Sequence, residues 1–209
     1  MTLKNALDVE DASVRLRAAL AAGTNPDPAL LETLVARCAV EPDFFVRDML
    51  TWALTRLPAE LTVPRLLDEL TSPRAQGRAQ ALHTLSKIGD PAAWPAITRA
   101  LLHDAADDVA RAAWRAAGTL VPDDRQIWLA DELGRALGHG DRDTQLALSR
   151  TLITLRDDVL DDLLATAGTH PDGSVRAHAA ATARLRDDPD AGFAQSLAEA
   201  TRVAIIGPA

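Results

Sequence analysis

The chain has 209 residues, 47% of them hydrophobic and 25% charged, with a formal net charge of -8 and only 3% aromatics. That length supports a sizeable core, and the acidity argues against bulk attraction to nucleic acid or an anionic membrane. A single cysteine, Cys38, excludes an internal disulfide framework and a cysteine-based zinc site.

The N-terminal "MTLKNALDVED" has no apolar signal-peptide region, and no apolar run approaches the ~18 residues of a membrane span. A cytoplasmic protein without membrane contact is expected. Ala and Leu dominate the apolar content, which favours helices over strands. Of the 22 basic residues only Lys4 and Lys87 are lysines.

The elements come in pairs. "DASVRLRAALAAG", from Asp11, closes a first repeat over 1–24. "PALLETLVARCAV" and then "DFFVRDMLTWAL" form a second over 25–58. "VPRLLDELT" and "RAQGRAQALHTLSKIGD" give a third over 59–89. "PAAWPAITRALL" opens a fourth (90–121), "RQIWLADELGRAL" a fifth (122–155) and "DVLDDLLATAG" a sixth (156–187). Pro28, Pro64 and Pro91 lie at or near first-helix starts, where a missing N–H costs nothing. "DDPDAGFAQSLAEATR" is expected to add a capping helix within 188–209, and the apolar "VAIIGPA" to pack against the last repeat.

The second helix of each pair sets the register. Val14, Val46, Gly77, Val109, Thr144 and Val175 are spaced by 32, 31, 32, 35 and 31 residues. Four and eight residues beyond each anchor stand small or apolar residues, such as Leu50 and Leu54, or Ala113 and Ala117. Offsets of 0, 4 and 8 share one side of a 3.6-period helix, so each copy is amphipathic. Two helices per repeat of about 32 residues, stacked on copies of themselves, make an all-α solenoid of about six helix pairs. A single domain over 1–209 is expected.

The phrase Asp-x-x-Val-Arg, with small and apolar residues following and then Gly, resembles the bacterial HEAT-like repeats of the phycobilisome-lyase type. The resemblance runs from Leu3 to about Arg186. It is full in repeats one, two and six and partial elsewhere: Gly77 replaces Val, Ala110 replaces Arg, and Thr144-Gln145 replaces both. Asp11, Asp43 and Asp172 are placed to cap the second helices. The resemblance implies that the Arg after the anchor (Arg15, Arg47, Arg78, Arg176) bridges to acidic groups of a neighbouring repeat. It also implies that first helices lie on a convex side and second helices line a concave, binding side.

Offsets 2, 5, 6 and 9 are expected to point away from the core. With offset 10, they supply Trp52, Arg56, His83, Lys87, Arg111, Trp114, Arg115 and Arg150. An exposed Trp tends to anchor an interface, and Arg beside it suits carboxylates or phosphates. The acids Asp68, Glu69, Asp131, Glu132, Asp157, Asp158, Asp161 and Asp162 fall on first helices. A locally basic, aromatic groove is therefore expected. The alternative for its Trp residues is packing between repeats, as expected for Trp94 and Trp128. His103, His139 and His170 sit in turns a repeat apart and do not converge as metal ligands would, while Cys38 belongs to the core.

No GxSxG, HExxH, Walker A or GxGxxG pattern occurs. The chain is read as a non-enzyme, without metal or cofactor, and as a scaffold for a protein partner with an acidic segment. Nucleic acid ranks second: Asp48 and Trp52, four apart on one helix face, resemble the lesion-side pair of HEAT-like alkylpurine DNA glycosylases, whereas net acidity counts against DNA. "VRDMLTWALTRLP" resembles the HEAT repeats of MerR-type transcription regulators, which implies a regulatory partner. A bilin-lyase-like role follows from the repeat resemblance alone.

Overall fold

The computed structural model describes residues 2–188, and every structural statement below concerns those residues. Six helix pairs follow one another. They are α1 (Leu3–Leu7) with α2 (Ala12–Thr24), α3 (Leu31–Cys38) with α4 (Phe44–Thr55), and α5 (Ala59–Glu69) with α6 (Ala75–Ile88). Then come α7 (Arg99–Leu102) with α8 (Asp107–Leu120), α9 (Gln126–Gly134) with α10 (Arg142–Leu152), and α11 (Asp157–Gly168) with α12 (Gly173–Asp187). No strand occurs among the described residues, so the architecture is the all-α, helix-pair solenoid type. The expected capping helix and the "VAIIGPA" tail lie outside the described residues. The helices form two compact units that part between Ala116 and Ala117, inside α8.

Burial follows the anchor register. Val46, Leu50 and Leu54 of α4 are buried, as are Gly77, Ala81 and Leu85 of α6 and Val109, Ala113 and Ala117 of α8. Val14 and Ala183, in the first and last pairs, are only half-buried. The caps form as well. Asp11 Oδ1 accepts from Ser13 N–H (2.8 Å), Asp43 Oδ1 from Val46 N–H (3.0 Å) and Asp172 Oδ1 from Ser174 N–H (2.8 Å). Asp141 does the same for α10 through Thr144 N–H (2.8 Å). Each such cap is worth about 1 kcal/mol.

Two first-layer segments differ from expectation. α5 begins at Ala59, so Pro64 sits inside it rather than near its start. The segment before α8 is not one helix: a 3-10 turn over Pro91–Ala96 contains Pro95, and α7 starts afresh with Thr98 as its N-cap. Proline denies the backbone a donor and crowds the preceding turn, which breaks the run.

The repeated Arg has a second job beyond the one the resemblance implies. Arg15 Nη1 donates to the carbonyls of Val9 and Glu10, Arg47 Nη1 to those of Glu41 and Pro42, and Arg176 Nη1 to those of His170 and Pro171. Arg78 Nη1 donates to Ser72 O. In each case the guanidinium reaches back five or six residues and satisfies the carbonyls of the turn that leads into its own helix. In repeat five Gln145 takes the role, donating to Gly140 O (3.2 Å). The bridge to the next repeat exists for Arg15, which forks onto Glu41 (2.8 Å to each oxygen), and for Arg78, which forks onto Asp104 (2.9 and 3.1 Å).

Candidate functional site

Second helices in the first unit run side by side in the same direction. Arg15, early in α2, meets Glu41 just before α4. Later in the helices, Thr51 of α4 faces Gln80 of α6, and His83 of α6 meets Arg115 of α8. This alignment brings the outward stripes of α4, α6 and α8 together around an open cavity of about 880 Å3.

Phe44, Arg47 and Asp48 of α4 line one wall. Gln76, Gln80, His83 and Lys87 of α6 line the floor, and Asp107, Asp108, Arg111 and Arg115 of α8 the far wall. Because the helices are aligned, charge is graded along their axes. Towards the N-terminal ends of α4 and α8 the acids Asp48, Asp107 and Asp108 are mixed with Arg47 and Arg111, whereas from mid-helix onward the lining is basic, with His83, Arg115 and, in the last turn of α6, Lys87. Asp107 and Asp108 in the first turn of α8 and Lys87 in the last turn of α6 sit where the helix dipole favours them.

Several cations there are already engaged. Arg47 holds the carbonyls of Glu41 and Pro42, and Arg111 pairs with Asp108 one turn back. Arg115 Nη1 lies 3.1 Å from His83 Nδ1. A guanidinium has only donors, so Nδ1 accepts and the neutral ring carries its proton on Nε2. Burial lowers the pKa of His83, and the neighbouring Arg115 and Lys87 lower it further, against a smaller upward pull from Asp48. Lys87 makes no hydrogen bond or ion pair among the described residues.

Of the eight residues expected in the groove, His83, Lys87, Arg111 and Arg115 line this cavity. Trp114 does not. It is 4% exposed, and its indole N–H donates to Leu102 O (2.8 Å). The error extends to four further pairs at offset 5, where Ala19, Thr51, Leu82 and Ser149 are also buried, whereas Ala180 of the last pair is exposed. That position lies about 140° from the anchor on a 3.6-period helix and meets the adjacent second helix, so the buried arc is wider than one stripe. Trp52 is half-buried, and its ring lies over Gly23 of α2, where a Cβ would come within 2.2 Å of Cζ3. It does not line the cavity, and neither does exposed Arg56. The Asp48–Trp52 pair is thus split: Asp48 faces the cavity and Trp52 packs on α2. Arg150 is exposed and belongs to the second unit. The expectation that acids stay on first helices is also corrected, since Asp48, Asp107 and Asp108 share the cavity with the cations.

The sequence reading missed an aromatic pair. Phe44 and Phe45 open α4 with rings edge to face, centroids 5.6 Å apart, and are 65% and 69% exposed. Phe44 forms part of the cavity rim. Both precede the Val46 anchor and so lie outside the register used to find outward residues.

The remaining chemistry-bearing groups are structural. Cys38 is buried, and that burial pushes its thiol up to about 12. His139 and His170 bond to turn backbone, at Leu137 O and Asp172 N–H respectively. Trp94 and Trp128 are half-buried on first-layer segments. No group of three or more His, Cys, Asp or Glu among the described residues is arranged to hold a metal, and no helix there is long and apolar enough to cross a membrane. In the second unit His178 is fully buried. Its Nδ1 accepts from Gly138 N–H (3.0 Å), and its Nε2 faces Gln145 O and Ser149 Oγ (3.0 Å each). Burial lowers its pKa to about 4.

No protein-family model matches the chain, and no curated protein matches it. Solved structures do. The complex of CpcE and CpcF of phycocyanin lyase from Nostoc sp. PCC7120 is 21% identical over 98% of this chain and 85% of that chain, with a TM-score of 0.49. Kap121p bound to Pho4p is 18% identical over 96% of this chain and 25% of that chain, with a TM-score of 0.61. Human deoxyhypusine hydroxylase in complex with glycerol is 16% identical over 97% of this chain and 93% of that chain, with a TM-score of 0.47. The likeness to Kap121p shows the helical-repeat solenoid fold. The non-enzyme expectation is withdrawn, because a lyase complex and a hydroxylase stand among the matching structures.

Proposed function

We propose that this chain is a protein-binding scaffold whose cavity over α4, α6 and α8 receives a segment of a partner protein. The observation that carries the reading is the exposed Phe44–Phe45 pair beside an open, charge-graded cavity of about 880 Å3. Exposed aromatic pairs are costly to leave bare, and aromatic anchors dominate interface energetics. Kap121p, which shares the fold, is seen bound to Pho4p and to Ste12p. The partner segment presents an apolar side chain to Phe44 and acidic ones to Lys87 and Arg115.

Selection of displayed short random peptides on the immobilised chain tests this. Wild type is expected to enrich peptides that bind in solution, and Phe44→Ala to weaken them by roughly tenfold, the usual loss for an anchor truncation of more than 1 kcal/mol. Phe44 is exposed, so its loss leaves the fold standing. The absence of any enriched binder, or binders indifferent to both Phe44→Ala and Lys87→Glu, would refute the reading.

A further inference from the structure

Three basic groups converge at the C-terminal end of the cavity: His83 and Lys87, one turn apart on α6, and Arg115 on α8. We infer that they form a carboxylate-binding subsite, and that filling it draws a proton onto His83. The inference rests on the peptide-binding reading and specifies one contact within it.

The geometry supplies the reason. Arg115 Nη1 donates to His83 Nδ1, so one of the strongest donors in the cavity is directed at a neutral ring. An incoming carboxylate accepts from Arg115 far more strongly than imidazole does. Once Arg115 turns to the carboxylate, Nδ1 loses its donor. It then takes a proton from water and becomes a second donor to the same anion, as an imidazolium. Lys87 completes the charge. The only bond made is N–H at Nδ1, and the only one broken is that of the hydronium or buffer acid that gives up the proton.

The charges facing His83 decide what anion fits. Lys87 comes from its own helix, Arg115 from α8 and Asp48 from α4. Arg47, Arg111 and Asp108, also in the cavity, are engaged as described above. With Asp107 of α8, the cavity lining carries four cations, Arg47, Lys87, Arg111 and Arg115, against three carboxylates, Asp48, Asp107 and Asp108, a single net positive charge that a monoanion balances. Sulfate, a dianion throughout this pH range, would bring its second charge up against Asp48. Burial, Arg115 and Lys87 keep His83 below its ordinary titration range, and an anion offsets the two repulsions.

The experiment is an NMR titration of the His83 ring in the full chain, with the signal assigned by its loss in His83→Gln. Acetate, chloride and sulfate are added at matched ionic strength. Acetate is expected to raise the His83 midpoint saturably, by roughly half a unit or more, which is about a threefold change in proton affinity. Chloride is expected to give only a small screening shift. Lys87→Glu, a change at an exposed position, should abolish the difference between acetate and chloride. Equal shifts with chloride, or a larger one with sulfate, would overturn the assignment. Because the readout needs no peptide, this result is independent of the selection. A failed titration beside enriched peptides sinks the subsite alone, whereas an acetate-specific shift without any peptide binder sinks the scaffold reading.

Discussion

Glu41 should be the most sensitive single position in the first unit. Its side chain is fully buried at the joint between the first two pairs. Arg15 forks onto both of its oxygens, Arg37 binds Oε2 at 2.7–2.8 Å, and Asp43 N–H binds Oε1 at 2.9 Å. Burial alone would raise the carboxyl's pKa, but the bonds from Arg15, Asp43 N–H and Arg37 outweigh it and hold it at about 2. Against an ordinary 4.5 that is about 3 kcal/mol of stability. A carboxylate with a depressed pKa contributes fully above its unfolded value. The contribution is therefore present above about pH 4.5 and disappears as the pH falls towards about 2. Glu41→Gln keeps the shape and can still accept from Asp43 N–H, but it strands Arg15, which is only 4% exposed. Removing one partner of a buried pair costs about 3–5 kcal/mol. Urea unfolding followed by circular dichroism should show this loss near neutral pH, together with a flattened acid limb below about pH 4.5. A variant within about 1 kcal/mol of wild type, or an unchanged acid limb, would refute the assignment of Glu41 as the charge centre of the joint.

His178 predicts a second, separate acid window. A buried base with a lowered pKa contributes no penalty above about 6.5 and costs stability as the pH falls towards about 4, in all about 3 kcal/mol. His178→Gln, which can still accept from Gly138 N–H, should remove that slope from the unfolding profile while leaving the lower one due to Glu41. Gly23→Ala should destabilise the first unit by about 1–3 kcal/mol, because the new Cβ would overlap the Trp52 ring, although Ala gains about 1 kcal/mol in helix propensity. A stabilised variant in the same denaturant assay would show that Trp52 is not packed on α2.

The fold was legible because its signal repeats. Each anchor and the residues four and eight beyond it must enter the core for any stacked pair to form, and six copies make the register unambiguous. The Asp caps are local, so sequence spacing exposes them; the backward reach of the Arg is equally local, but the sequence reading gave the Arg only its bridge to the next repeat. Contacts that cross between repeats are not local. Glu41 stands 26 residues from Arg15, and nothing around it marks it as the acid that closes on the Asp-x-x-Val-Arg phrase. Offset 5 failed for the same reason: a helical wheel knows one core direction, whereas a second helix also has a neighbour alongside it. Trp114 and Trp52 look outward on the wheel, yet Trp114 bonds to Leu102 O of α7 in its own pair and Trp52 packs on the adjacent α2.

This division explains where ligand chemistry can reside. The recurring Asp and Arg are consumed in holding the stack. Arg15 has Glu41 and two carbonyls, Arg47 has two carbonyls, and Arg78 has Asp104 and one carbonyl. Arg15 and Arg78, forked onto a carboxylate, would have to break the joint to greet a partner, and Arg47 could greet one only through Nε and Nη2. The residues that differ from repeat to repeat at the outward stripe carry no such duty. Leu20, Trp52, His83 and Arg115 occupy one equivalent position in successive pairs of the first unit, with Lys87 one turn beyond His83. Within the first unit that position becomes basic in the third and fourth pairs, and there it faces the cavity that Phe44 rims. On the proposed reading, specificity is written where the repeat is least repetitive, over α6 and α8, and changes there should alter binding while leaving the stack intact.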